Sequence, residues 1–575
     1  MSRLPASLQS FREIREEGLA YADKTEHVHR LLMDGRGFRL TRPRSFGKTL
    51  LVSTLRALFR GRADLFKGLY LESSGWDFAP RPVVSLDFGR LGCASPAEAA
   101  DDLCWELKRA AAREELTVKG ASAGSLISWL VDALYAKKRR RPAVLVDNAS
   151  APLERRLGDP AGLEAMLAVF RGFWEALAAQ GPRLRFVLAA GNFAFRGMTG
   201  PEGFLRDVSL GPRQALSCGF SDAEFDVLFR EPLAEAAELM RSEGALPASR
   251  GAGDLRSEIL RRYGGYSWDG ETRAANPAAV ISFFENSEHS WHFLEERPPD
   301  GIPRQVFAEA AELVPPGPEL TFTRGLLNSL ECRGPALHPL LFQAGALTVS
   351  GRRERDGVPE YSLGFPNREV EAGFRMLALA AMTGLDHAAL RAHVRRFRNE
   401  AGEGRAEGAA AALAGLLEAS EGALRAGNPR RGAMYALLLR LAGFEAPPPD
   451  PGQGIPGLAS GCSGASGAAG WAAGSLRFSG GRRIQVILRH IPGAESLGEG
   501  AARRLLQESL DAALREAADG EAPPERIPPG AAGPSWETRR LYVFTAGQSE
   551  TAGAAAGAGC PLLFRPLAKA AEEGP

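Results

Sequence analysis

The sequence predicts an α/β protein: a parallel sheet flanked by helices, then a helical middle region, then a smaller α/β domain. Three observations predict it. Between residues 37 and 192, short apolar runs alternate with longer stretches of helical periodicity, the pattern of βαβ units. The first run leads into Arg42-Pro43-Arg44-Ser45-Phe46-Gly47-Lys48-Thr49, which opens a helix. Two later runs end on Asp147 and Asn192, at the strand ends where parallel sheets bind ligands.

Residues 1–36 read as a lead-in, with a helix from about Glu26 to Met33 before the first strand, Gly37–Thr41. Leu50, Leu51, Thr54, Leu55 and Leu58 mark the helix after the loop. Pro82–Asp87 is a short buried strand. Helical periodicity runs from Pro96 to Ala112, with Ser95 as cap and Pro96 at the first helical position, and resumes from Ser125 to Ala136. Pro142–Asp147 is the third strand, a helix lies near Leu163–Gln180, and Leu184–Asn192 is the fourth strand. Asp207–Leu210 is a candidate fifth.

From Ser221 to about Tyr263 the pattern is helical, and Asn276-Pro277 starts another helix. Leu340–Val349 and Tyr361–Asn367 read as a helix end and a small hairpin, and 369–445 is helical again. A Gly/Pro/Ser/Ala-rich linker covers 446–473. Beyond it, strands at Ser475–Phe478, Arg483–Leu488 and Leu541–Phe544 accompany a helix at Gly500–Ala518. The Ala/Gly run 552–559 offers too little apolar surface to offset ordering. The expected domains are 1–220, 221–370 and 371–550, with 551–575 as a disordered tail.

Composition excludes some classes. With 45% hydrophobic and 24% charged residues, the chain is that of a globular protein with ample core. Lys and Arg number 70 against 69 Asp and Glu, so net charge argues for neither nucleic acid nor membrane. The six cysteines (93, 104, 218, 332, 462 and 560) form no C-x-x-C pair, which excludes an evident zinc knuckle and points to a reducing compartment. No signal-like or membrane-spanning run occurs, and the expected location is cytoplasmic.

Strand, tight turn, Gly47-Lys48-Thr49 and helix together form a phosphate-binding context. Backbone N–H groups and the helix dipole favour an anion at such a start. Lys48 would meet the outer phosphates of ATP, and the Thr49 hydroxyl would ligate Mg2+. One position departs from G-x-x-x-x-G-K-[ST]: the first glycine is Arg42. The plain alternative is a helix start capped by Thr49.

These residues resemble a bacterial and archaeal family that joins an AAA-ATPase-like domain to a C-terminal PD-(D/E)XK nuclease-like domain. Gln9-Ser10-Phe11 and Tyr21-Ala22-Asp23-Lys24-Thr25 match its opening phrase, and Arg42–Thr49 matches its loop, R-P-R-x-F-G-K-[ST]. Shorter matches follow in order: Phe66–Leu69, Cys218–Ser221, Tyr263–Tyr266, Asn276-Pro277, Leu341–Gly345 and Phe365–Val370. The resemblance implies a P-loop NTPase-type parallel sheet, with the fourth strand between the loop strand and the Asp147 strand. ATP would be held by Arg42–Thr49 with Asn192 sensing the γ-phosphate, and Mg2+ by Thr49 and Asp147. Asp147 as a helix cap and Asn192 as a turn residue are the competing readings.

The chain departs from this family where the chemistry lies. The family's D-E-Y-D-K-P-L stretch is Asp147-Asn148-Ala149-Ser150-Ala151-Pro152-Leu153 here. The resemblance implies that the Glu polarises the attacking water. Asn148 stands there, and a carboxamide is not a base. Loss of a positioned base costs about 10²–10⁴ in rate. In the nuclease-like part, the expected Asp, Glu and Lys fall on or near Ser475, Leu488 and His490. The expected helical Glu falls near Arg431, and Met434–Leu437 lacks the family's His. With no carboxylate, such a site holds no hard metal.

The leading expectation is therefore an ATP-binding switch or scaffold with weak hydrolysis and an inactive nuclease-like domain. An active ATPase is the alternative. A third reading, contact with DNA or RNA, rests on Lys137–Arg141 and on Arg391, Arg395, Arg396 and Arg398; solvated helix faces are the plainer reading of both. Arg196, Arg206 and Arg213 are candidate arginine fingers that nothing in the sequence separates.

Overall fold

Five strands organise the first half of the chain: β1 (Gly37–Thr41), β2 (Val83–Asp87), β3 (Ala143–Asp147), β4 (Phe186–Gly191) and β5 (Arg206–Asp207). Every residue of β3 and β4 is buried, so neither strand has a polar face to offer water. Such unbroken apolar strands belong at the centre of a parallel sheet covered on both faces. The sheet obeys this: its order is β2-β3-β4-β1-β5, and every neighbouring pair is parallel. β4 lies between β1 and β3, as expected, which sets the ends of all three side by side.

This computed structural model describes residues 10–244, 246–286, 302–311 and 320–403, single positions from 405 to 442, and the backbone of four strands within 471–566. The chain divides into two compact units, 1–303 with 314–373, and 304–313 with 374–575.

In the first unit, helix Lys48–Phe59 packs against β3 and β4, and helices Pro96–Ala112, Ala123–Lys138 and Pro160–Ala179 pack on one another. Local chemistry sets their starts. Ser95 caps the first of the three by accepting from the Glu98 amide, and Asp159 caps the third by accepting from Gly162. β5 is shorter than the expected Asp207–Leu210, since Ser209 bonds Thr41, the last residue of β1, and Arg42 instead of extending the ladder. Its Oγ accepts from the Thr41 amide at 2.9 Å, and its carbonyl accepts from Arg42.

Helices Asp222–Leu228, Arg230–Ser242, Ala252–Tyr263 and Pro277–Asn286 bury a common apolar cluster around Phe225, Phe229, Leu255, Ile259 and Phe283. The expected hairpin is present as β7 (Thr348–Arg355) and β8 (Val358–Gly364), with β6 (Phe322–Thr323), which the sequence did not announce, along the other edge of β8.

The second unit holds helices Arg304–Ala310 and His387–Gly402 and a four-stranded sheet. Its strands are β9 (Trp471–Phe478), β10 (Arg482–His490), β11 (Glu537–Thr545) and β12 (Leu562–Pro566). β10 pairs antiparallel with β9 and parallel with β11. A parallel pair requires a crossover; the helix expected at 500–518 lies outside the described residues, as do residues 446–470 of the expected linker and the run 552–559, while 471–473 of that linker begin β9. β12 lies within the tail expected over 551–575. Leu562-Leu563-Phe564 supply a short apolar run that pairs with β11. Among the described residues, no helix is long and apolar enough to cross a membrane.

Candidate functional site

The loop between β1 and helix Lys48–Phe59 is held by its own backbone and by a buried arginine. Ser45 and Gly47 adopt positive φ values of 62° and 96°, a backbone form that anion-binding loops use, and both line one hollow. Arg42 does not enter that hollow. Its guanidinium, 1% exposed, donates to the carbonyls of Thr41, Ser209 and Gln214, each at 2.8 Å, and lies over the Trp268 ring. Burial lowers its pKa to about 10. Arg42 and Pro43 thus support the loop from behind rather than lining the cavity.

Other segments buttress the loop. Phe46 packs edge-on against Tyr266 and Trp268, with centroids at 4.7 and 5.4 Å, and its carbonyl accepts from the Gly219 amide. Gly345 stands against Pro43: a Cβ there would lie 2.7 Å from the proline's Cβ.

A cavity of about 800 Å³ opens in front of the loop, within the size range of ligand sites. Arg44–Thr49, Asn148, Glu154 and Asn192 form its polar end. Ile14, Ala20, Ala22, Phe220, Pro277 and Ile281 add apolar surface, and Lys24, Arg155, Ser217, Ser282 and Glu285 add further polar groups. Lys24, from the opening phrase, bonds Glu224 at 2.6 Å; burial, opposed by Glu224, lowers its pKa.

Lys48 is 5% exposed and donates to the carbonyls of Arg42 and Pro43 at 2.9 and 2.7 Å. Burial lowers its pKa to about 8. Thr49 and Asp147 together line an adjoining cavity of about 430 Å³ that also reaches Asp87. Burial raises the Asp147 pKa; Thr49 opposes this, Asp87 in register beside it adds to it, and Lys48 opposes it. Two carboxylates and a hydroxyl are hard oxygen donors, and a buried carboxylate short of positive charge suits a divalent cation such as Mg2+. The donor set therefore fits the metal expected there.

Asn148 lines the cavity in a left-handed conformation, φ 50°, which asparagine tolerates better than most residues. Its amide is engaged sideways, donating to Asp87 Oδ1 at 2.9 Å. Asn192 is not a bare turn residue: its Nδ2 donates to Glu154 Oε2 at 2.9 Å. Glu154 Oε1 accepts from Ser150 Oγ at 2.5 Å, and that oxygen in turn accepts from the amides of Asn192 and Phe193.

Lys48, Thr49, Asn148 and Asn192 thus share one hollow, while Asp147 lines the adjoining cavity that Thr49 also reaches. Sequence reasoning missed Glu154 and Asp87. The available signal for Glu154 was its spacing, four residues beyond Ser150 at the end of the helical turn Ala151–Glu154. The three candidate arginine fingers line neither cavity. Arg196 pairs with Glu331, and Arg206 and Arg213 pair with Asp34. In the basic run after Ala123–Lys138, Lys137 bonds the Glu114 carbonyl, Lys138 pairs with Glu114 and Arg140 bonds the Pro80 carbonyl.

The AAA-ATPase-like family, described as "Predicted AAA-ATPase", matches over residues 5–198, about a third of the chain. A relative from Azotobacter chroococcum mcd 1, described as an uncharacterized protein in the vnfD 5' region, is 28% identical over 384 residues. The match spans 64% of this chain and 68% of the relative. No solved structure matches significantly.

Proposed function

We propose that this chain binds ATP with Mg2+ in the cavity in front of Arg42–Thr49 and acts as a nucleotide-dependent switch or scaffold whose hydrolysis is slow. The observation that carries the reading is the convergence of Lys48, Thr49 and Asn192 on one hollow of nucleotide size, with Thr49 also lining the adjoining cavity that Asp147 faces. The family match over 5–198 and the parallel sheet support nucleotide binding.

In this reading, Lys48 leaves the carbonyls of Arg42 and Pro43 for the outer phosphates, and the loop amides replace water around them. Thr49 and Asp147 would hold Mg2+, whose charge screens the phosphate oxygens. The apolar surface that includes Ala22 and Ile281 receives the base. Hydrolysis is slow because Asn148, beside Asp147, accepts no proton and is bonded to Asp87. Binding acts as a switch by favouring one packing of Phe46 and Arg42 against Tyr266 and Trp268. The C-terminal sheet is read as a nuclease-like fold without activity, since Ser475, Leu488 and His490 supply no carboxylate.

The test is ATP affinity and turnover on the same full-length sample, with Lys48→Ala and Asn148→Glu alongside. Tight binding lost in Lys48→Ala, with wild-type turnover far below that of ordinary ATPases, supports the reading. Brisk wild-type turnover that Asn148→Glu does not raise sinks the switch, and an absence of ATP binding sinks the whole.

A further inference from the structure

We propose that Glu154 is the carboxylate that accepts the proton of the attacking water in whatever ATP hydrolysis this chain performs. The inference rests on the ATP-binding reading above and adds a residue to it. Asn148 provides no base, Asp147 is the proposed metal ligand, and Asp87 is bonded to the Asn148 amide and to the Gly89 backbone. Glu154 is different: it lines the same cavity as Lys48, Thr49 and Asn192.

Its environment is hard to explain as packing alone. The residue is 2% exposed, and burying a carboxylate is costly unless charge or hydrogen bonds offset it. Its two close bonds come from neutral donors, the Ser150 hydroxyl and the Asn192 amide. The nearest cation is Arg44 of the phosphate loop, at 3.8 Å. Each carboxylate oxygen can accept more than one bond, so capacity remains toward the cavity. Ser150 and Asn192 fix the rotamer, and fixed geometry is what a proton acceptor needs.

The step balances as follows. The water oxygen bonds to the γ-phosphorus, and the bond from that phosphorus to the β–γ bridging oxygen breaks, its electron pair leaving with ADP. The water proton passes to Glu154 and then to solvent, so ATP and water give ADP, phosphate and a proton.

The experiment measures ATP affinity, turnover against pH, and melting temperature on the full chain and on Glu154→Gln. The expected result is ATP affinity close to wild type, turnover lower by about 100-fold or more, and loss of the acid limb of the pH profile. Wild-type turnover in the variant, or a wild type that binds ATP with no turnover above background, overturns the role of Glu154 and leaves the binding reading standing. Failure of the wild type to bind ATP overturns both. Where Glu154→Gln melts early, Glu154→Asp takes its place. The shortened acid should bind ATP, keep the acid limb and lose about tenfold in rate; an undiminished rate overturns the proposal.

Discussion

The Arg42 guanidinium lies 4.0 Å from the centroid of the Trp268 ring, which joins the first residue of the phosphate loop to the segment that follows helix Ala252–Tyr263. The same guanidinium satisfies the carbonyls of Thr41, Ser209 and Gln214. A planar fork does both jobs at once, and a lysine ammonium cannot. Arg42→Lys should therefore strand buried carbonyls and lose the stacking, lowering stability by about 2–4 kcal/mol. Urea unfolding measures this. A midpoint equal to wild type would show that the arginine is dispensable to the loop.

ATP affinity should depend on pH through Lys48. In the free protein burial lowers its pKa to about 8, whereas a bound triphosphate favours the charged form. Below pH 8 the lysine is already charged and binding draws no proton. Above it, each binding event must take one up, so affinity falls by about tenfold per pH unit. Titration calorimetry at pH 9 in buffers of different ionisation heat should report proton uptake, and a flat affinity between pH 7 and 9 would refute the coupling.

Much of this site was legible because it depends on local letters and strand order. Ser95-Pro96 announced a helix start that the structure keeps, and Asp147 and Asn192 stood out as polar ends of apolar runs. Arg42 was legible as a departure from the general glycine pattern that the family loop shares, but its task was not, since its partners Ser209, Gln214 and Trp268 are remote in sequence. Cys218-Gly219, Tyr263–Tyr266 and Leu341–Gly345 were legible as matched phrases but not as a set. Their shared task, bracing Pro43 and Phe46, exists only in three dimensions. Glu154 was hidden for a similar reason: it lies outside the recognisable stretch, and the short helix Ala151–Glu154 carries it back to Ser150 and Asn192.

Asp147→Asn should separate metal binding from folding. Burial raises the folded-state pKa of Asp147. Between the unfolded and folded pKa values the native state binds more protons, so this carboxyl's contribution to stability falls as pH rises through that window. At neutral pH the charged side chain therefore counts against the nucleotide-free fold, and an isosteric amide should raise its melting temperature. The same substitution removes a hard oxygen ligand, so Mg2+ should no longer strengthen ATP binding. A variant that melts lower yet keeps the Mg2+ dependence would contradict both halves.

Gly345 tests whether the hairpin region governs the loop without touching the cavity. It sits at φ +84°, and an added Cβ would lie 2.7 Å from Pro43 Cβ. Gly334 provides the control, since it has a similar φ of +80° but open space where its Cβ would stand. Both alanine variants bear the left-handed backbone penalty, about 1–2 kcal/mol. Gly345→Ala must in addition displace Pro43, whose carbonyl holds Lys48. It should therefore lose ATP affinity by about tenfold, a plausible result of a displacement near 1 Å at a preorganised site, while Gly334→Ala should bind like wild type. Equal affinities in the two variants, measured under conditions where both are folded, would mean that the contact between Gly345 and Pro43 packs the loop without tuning it.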